Sequence, residues 1–240
     1  MRTETFEKYN PFFIKDYMMG PNTIRLLDEM LTRYPLRKNL RILDLGCGTG
    51  LSSLYIAQET GAEVFALDLW CSATDNYRRF TEWNVQDQII PIHANALDMP
   101  FSDEFFDAVV SVDAYHYFAC NPEYFSQKLL PLVKKGGTVL IVIPGAHEEF
   151  SEPVPPEVLE WGGDDYKLFH SCDWWRKNIG SDPAIASVEC FELSNGDAAW
   201  NEWFASGHEY AVRDKEFFDK GVGAHLNFVG IAVRKAENRS

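Results

Sequence analysis

Apolar positions along the first 145 residues alternate between short solid runs and longer stripes at helical spacing. Glu63 to Asp68, Ile89 to His93, Ala108 to Val112 and Thr138 to Ile143 are runs rich in branched and aromatic side chains, and together with Ile42 to Leu45 they predict strands. Between them, Leu51 to Thr60 reads as a helix stopped by Gly61, and a second helix follows Ser72 through about Val85. Asn121 to Val133 predicts a third, after which Lys134-Lys135-Gly136-Gly137 predicts a turn. Ahead of the first strand, Pro21 opens a helix carrying Ile24, Leu27, Leu31 and Tyr34, and Pro35 closes it. The unbroken apolar run Thr138 to Ile143 suits a strand buried on both faces. Such alternation predicts an α/β, doubly wound, mostly parallel sheet with helices on both faces.

Beyond Pro144 the rhythm breaks. Pro153, Pro155 and Pro156 mark an irregular stretch, a tryptophan-rich region follows to about Gly207, and Leu226 to Val233 returns as the last strand. The chain therefore divides into an N-terminal helical segment (1–35), a core (36–145), and an insertion with the last strands of the same domain (146–240).

Composition narrows the class. With 240 residues and 46% apolar content, the chain has enough material for one full core. A formal charge of −14 repels phosphate backbones, and no Lys/Arg cluster interrupts it, so nucleic acid is not expected as a partner. The 5 cysteines (Cys47, Cys71, Cys120, Cys172, Cys190) include no C-x-x-C pair and suit reduced thiols. The first residues lack an apolar signal core and no run is long enough to span a bilayer, so a cytoplasmic protein without a membrane partner is expected.

The chemistry begins where the first strand meets Asp44-Leu45-Gly46-Cys47-Gly48-Thr49-Gly50. Glycine at every second position lets a bulky ligand lie against bare backbone while a helix starts just beyond. A dinucleotide loop of G-x-G-x-x-G form would need its third glycine at position 51, where Leu51 stands. The loop also lacks the Lys-Ser/Thr pair that grips phosphates, which weakens the phosphate reading. Asp68 ends the second strand, beside the loop in a strand-helix-strand unit, where an acid grips a ribose diol.

With these residues in order, roughly residues 40–145 resemble the class I S-adenosylmethionine-dependent methyltransferases. The resemblance implies a Rossmann-like sheet of seven strands, a helical lid at the N-terminus, and S-adenosylmethionine as the cofactor, leaving as S-adenosylhomocysteine. It implies that Asp44, Gly46, Cys47, Gly48 and Gly50 shape the methionine side, that Asp68 with Leu69 holds the ribose, and that Asn95 with Ala96 contacts the adenine. Asn95 stands where Asp is commoner in the family, and an amide still offers an acceptor to the exocyclic amine. Phe105 to Asp113 is similar to the family's fourth strand, which places Ser111 beside the methionine, and the aromatic stretch around Tyr17 is similar to the segment that folds over the cofactor.

Acceptor and base are less defined. Residues after the fourth strand (Asp113, Tyr115, His116, Tyr117) and after the fifth (His147, Glu148, Glu149) are base candidates, with His116, Tyr115 and His147 first among them. The fourth loop, Ser111 to His116, has no proline and so departs from the Asn/Asp-Pro-Pro-Tyr loop of methyltransferases that act on bases or amides. Five tryptophans after Gly145 (Trp161, Trp174, Trp175, Trp200, Trp203) either frame a cationic amine or pack in the core. Methyl transfer to a small-molecule amine is favoured, with carbon or oxygen methylation of a quinone-like or aromatic ring and non-catalytic cofactor binding as alternatives. A monomer or homodimer is expected. No metal is expected: His170, Cys172 and Asp173 are three donors without a supporting ligand spacing.

Overall fold

Strands β1 (Arg41–Leu45), β2 (Glu63–Asp68), β3 (Ile89–His93), β4 (Phe106–Val112) and β5 (Val133–Ala146) run parallel. The structure, a computed structural model, describes residues 1–180 and 182–237. β7 (Leu226–Lys235) pairs antiparallel with β5, and β6 (Ile185–Glu192) antiparallel with β7. The result is one seven-stranded sheet in the order β3-β2-β1-β4-β5-β7-β6. The sheet is mostly parallel, and only β7 runs against it.

Period-two alternation sends successive side chains to opposite faces. Ile42, Val64, Ala108, Val110 and Leu140 join one core with α2 (Thr23–Arg33), α3 (Leu51–Thr60) and α7 (Gly196–Ala205). Leu43, Leu45, Val109, Ile141 and Ile231 join the other, with Phe125, Leu129 and, from α6 (Cys172–Ile179), Trp175. Both faces are covered, as the apolar runs require.

Local signals explain most helix ends. Asn22 caps α2 by accepting from the Ile24 and Arg25 amides, Ser72 caps α4 (Ala73–Glu82) through Asp75, and Ser171 caps α6 through Trp174. Gly61, at φ +67°, closes α3 in the left-handed conformation.

Three expectations differ from the structure. Asn121 to Val133 does not form one regular helix; Phe125–Leu129 winds as a π-helix and Leu130–Leu132 as a 3-10 turn, where Pro131 has no amide to continue the ladder. Lys134 to Gly137 does not separate helix from strand but lies inside β5. There Phe106 faces Val133 while Ala108 faces Thr138, so the glycines form a bulge, with Gly136 at φ +68°. Finally, the region after Gly145 is not one insertion. β6 divides it, with α5 (Pro156–Gly162) and α6 before it and α7 and α8 (Glu209–Phe218) after it. As an edge strand with few buried side chains, β6 carries little apolar signal.

Candidate functional site

The sheet order reverses between β2 and β4 around β1, so the carboxyl ends of these strands leave a crevice where ligands bind in open α/β sheets. Here it is a cavity of 360 Å³, within the roughly 300–1,000 Å³ typical of small-molecule sites. Its walls are the glycine loop, the residues after β2, β3 and β4, and a strap from Tyr17 to Pro21.

Backbone bonds shape the loop. The Gly46 and Cys47 amides donate to the Leu67 carbonyl at 2.8 and 3.0 Å, and the Gly48 amide donates to Asp68 Oδ2 at 2.8 Å. Gly46 and Gly50 sit at φ +77° and +96°; a Cβ at Gly46 would lie 2.3 Å from the Ala114 Cβ, and one at Gly50 2.3 Å from the Phe80 ring. Glycine is therefore required at both positions.

Asp68 lines the cavity and is nearly buried. Besides Gly48, it accepts from the Trp70 and Cys71 amides at 2.7 and 2.8 Å. Of the carboxylate's roughly four lone-pair sites, about one remains toward the cavity. Exposed Leu69 and Leu97 also line the cavity, as does Asn95, whose Oδ1 accepts from the Leu97 amide at 2.9 Å.

Asp44 lies behind the loop, fully buried and outside the cavity lining. Its Oδ2 accepts from the Ser52 and Ser53 hydroxyls at 2.6 Å each, tying β1 to the start of α3. Burial pushes its carboxyl up to about 6, Asp68 adds to the rise, and the two serines oppose it. A raised carboxyl costs stability when it ionises, so this contribution is fully present below pH 4 and is lost as pH rises through 6. Asp44→Asn should flatten the fall in thermal midpoint between pH 4 and 7, and a parallel fall in the variant would contradict the assignment.

Asp113 follows β4 at φ +57° and lines the cavity. Its side chain has no hydrogen-bond or ion-pair partner among the described residues. Burial pushes its carboxyl up to about 7, with the like charge of Asp214 adding. The strap passes directly over it: a Cβ on Gly20 would lie 2.6 Å from Asp113 Oδ2. Elsewhere the strap is held by the Thr49 hydroxyl on the Tyr17 carbonyl and by Cys71 Sγ at 3.8 Å from Met19 Sδ. Gly20→Ala should shift the strap and weaken adenosyl-ligand binding by about 1–3 kcal/mol, the scale of overpacking, as read by calorimetry.

The structure brings Tyr17, Gly46, Cys47, Gly48, Asp68, Leu69, Asn95 and Ala96 to one cavity. Asp44, Gly50 and Ser111 stand behind it; Gly50 starts α3, and the Ser111 hydroxyl donates to the Leu45 carbonyl at 2.7 Å. The three first-ranked base candidates do not line it. Tyr115 is buried among Phe118, Tyr124 and Trp175 with its hydroxyl unpartnered. His116 is buried with both ring nitrogens unpartnered, and burial lowers its ring to about 3. His147 is exposed at the end of β5 and pairs with Glu192 at 3.0 Å.

The tryptophans after Gly145 are core and wall elements, not cavity lining. Trp175 and Trp203 are fully buried, Trp200 packs on Phe218 at 4.3 Å, and Trp174 lies parallel to His170 at 3.6 Å. Trp161 and Trp203 each donate an indole N–H to Asp214 at 2.9 Å. The cavity's tryptophan is Trp70, 68% exposed and 5.4 Å from Tyr117. Its place two residues after a strand-ending acid, inside the crevice by topology, was the available sequence signal. Only residues 17–21 and 23 of the N-terminal segment reach the cavity, while Tyr9 and Phe13 pack in the core.

Known proteins resemble this chain in sequence and in fold. Residues 43–141 match a family model described as a methyltransferase domain. A demethylmenaquinone methyltransferase from Clavibacter sepedonicus is 36% identical over 118 residues, 49% of this chain and 44% of that protein. The matches span less than half the length of the curated relatives. Among solved structures, a phosphoethanolamine N-methyltransferase 2 from Haemonchus contortus in complex with S-adenosyl-L-methionine superposes with a TM-score of 0.71 at 20% identity, covering 91% of this chain and 54% of that one. A geranyl diphosphate C-methyltransferase from Streptomyces coelicolor A3(2) gives 0.68 at 18%, covering 88% and 76%. At such identities the likeness is one of fold.

Proposed function

We propose that this chain, whose residues 43–141 match a methyltransferase-domain model, is a class I S-adenosylmethionine-dependent methyltransferase that transfers a methyl group to a small-molecule acceptor, an amine nitrogen being favoured. The residues fit the cofactor. Gly46 and Gly48 line the cavity with bare backbone where the methionine part would lie, Asp68 keeps a lone pair for a ribose, and exposed Leu69 and Leu97 offer apolar surface to a purine near Asn95. When bound, S-adenosylmethionine supplies a methyl group on a positively charged sulfur, open to in-line attack.

The observation that carries the acceptor class is the unpartnered Asp113 carboxylate, which shares the cavity lining with the Tyr117 and Trp70 rings. A carboxylate next to aromatic rings suits an alkylammonium, which gains both ion pairing and cation–π attraction. An amine must lose a proton before its lone pair attacks, and Asp113, with a carboxyl near neutrality, is placed to take it. The strap over the cavity excludes water and aligns the acceptor, the larger part of catalysis in a displacement that destroys charge on sulfur.

A second reading is methylation of carbon or oxygen on a quinone-like or aromatic ring, which the apolar wall of Trp70, Tyr117 and Phe118 also suits and to which the demethylmenaquinone relative adds weight. A non-catalytic cofactor-binding protein is a third. Among the described residues, no helix is long and apolar enough to cross a membrane.

Labelled methyl transfer to matched panels of alkylamines and of phenols and quinols separates these readings. Amine products, with kcat/KM reduced ~100-fold or more in Asp113→Asn at unchanged cofactor affinity, support the proposal, on the scale of a lost general base. Products confined to the phenol and quinol panel would replace it with the second reading, and cofactor binding without any product with the third.

A further inference from the structure

Among the described residues, the exposed large apolar side chains of Met19, Leu69, Trp70, Leu97 and Tyr117 line the cavity together. Exposed apolar surface concentrated at a cavity marks a ligand site. The purine takes Leu69 and Leu97, which leaves Met19, Trp70 and Tyr117.

Trp70 and Tyr117 come from opposite sides of the crevice, one after β2 and the other after β4, and β1 lies between those strands. Their ring centroids are 5.4 Å apart at 62°, so the pair joins the two sides across the end of β1. Each ring stands on a fixed base. The Trp70 amide donates to Asp68 Oδ1 at 2.7 Å, and the Tyr117 ring lies 4.1 Å from that of buried His116. Met19 adds a polarizable third surface from the strap, its Sδ 3.8 Å from Cys71 Sγ.

The charge on the lining has one sign. Asp68 and Asp113 are its charged residues, and among the described residues no Lys or Arg lines the cavity. Cations on the adjoining helices are engaged elsewhere: Arg25 of α2 pairs with Glu202, and Arg79 of α4 donates to Asn76 Oδ1. The start of α3, at Leu51 and Ser52, favours negative charge, but it lies at the glycine loop, on the side of the methionine part. A carboxylate or phosphate on the acceptor would lose its hydration, meet the charge of Asp113 and find no cation.

We propose that the acceptor carries no carboxylate, phosphate or other anionic group, and that Trp70, with Tyr117, is a specificity-determining residue that takes the acceptor's apolar substituent. This rests on the methyltransferase reading of the cavity and holds whichever atom receives the methyl group.

The test uses the full chain saturated with S-adenosylhomocysteine at about pH 8, where the Asp113 carboxyl is ionised, and three probes that share a phenylethyl group: 2-phenylethylamine, 2-phenylethanol and 3-phenylpropanoate. Calorimetry should show the amine and the alcohol binding the wild type, and the carboxylate binding at least about tenfold more weakly than the alcohol. Trp70→Ala should weaken the amine and the alcohol about tenfold each, the scale of a lost aromatic contact, while S-adenosylhomocysteine affinity is kept. Trp70→Phe should restore most of that binding, and Asp113→Asn should narrow the gap between alcohol and carboxylate. The inference is overturned by a carboxylate that binds the wild type as well as the alcohol does, by a wild type that binds none of the three, or by Trp70→Ala leaving amine and alcohol unchanged. Equal binding of amine and alcohol, with the carboxylate excluded, supports the inference and counts against the amine reading alone. Failure of S-adenosylhomocysteine to bind the wild type would instead overturn the methyltransferase reading itself.

Discussion

Asp68→Ala should weaken binding of S-adenosylmethionine and S-adenosylhomocysteine by about 2–4 kcal/mol, roughly 30- to 1,000-fold in Kd, the scale of one charge-assisted hydrogen bond to the ribose together with the loosening of the loop the carboxylate fastens. The carboxylate has two functions at this position. It offers the cavity a charged acceptor, and it fastens the Gly48, Trp70 and Cys71 amides, so its loss frees two walls at once. Asp68→Asn separates these functions in part, since an amide still accepts through one oxygen but lacks the charge and the second acceptor. Its affinity should fall between those of wild type and Ala. Calorimetry on variants whose thermal unfolding stays cooperative makes the comparison, and wild-type affinity in the Ala variant would remove Asp68 from the site.

Gly46→Ala has the second large effect, on stability as well as binding. A left-handed backbone costs an L-residue about 1–2 kcal/mol, and an added Cβ that must displace a neighbour costs about 1–3 more. At Gly46 both apply, with φ at +77° and Ala114 2.3 Å from the new methyl. The residue struck belongs to the loop after β4, beside Asp113, so relief moves the glycine loop or the acceptor wall. Denaturant unfolding should show a loss of about 2–5 kcal/mol, the sum of those two costs, with adenosyl binding abolished. Gly207→Ala is the control, at the same φ of +77° with nothing within 4 Å of the added methyl, and should carry only the backbone cost. Equal losses at the two positions would show that close approach does not matter.

The sequence made the cofactor side of the molecule legible because local rules govern it. Solid apolar runs mark the parallel strands, Gly61 and Ser72 mark helix ends, and Arg41 to Asp68 is a contiguous strand-helix-strand unit. Where long-range pairing decides the outcome, the pattern was silent. β6 gains its place only by pairing with β7, and Lys134 to Gly137 becomes a bulge only because β4 pairs on both sides of it. The acceptor side follows the same logic. Trp161 and Trp203 are 42 positions apart and meet only on Asp214, so neither spacing nor composition could separate a ligand cage from a carboxylate clamp. Asp113 and His116 are three residues apart in one loop, and backbone turns alone decide which faces the cavity.

The central claim is that this cavity holds an adenosyl sulfonium. Titration of the intact chain with S-adenosylmethionine, S-adenosylhomocysteine and NAD tests it most directly. Saturable binding of both adenosyl ligands, lost in Gly46→Ala and weakened in Asp68→Ala, with NAD bound far more weakly, is the predicted result; no adenosyl binding, or tighter NAD binding, would contradict it.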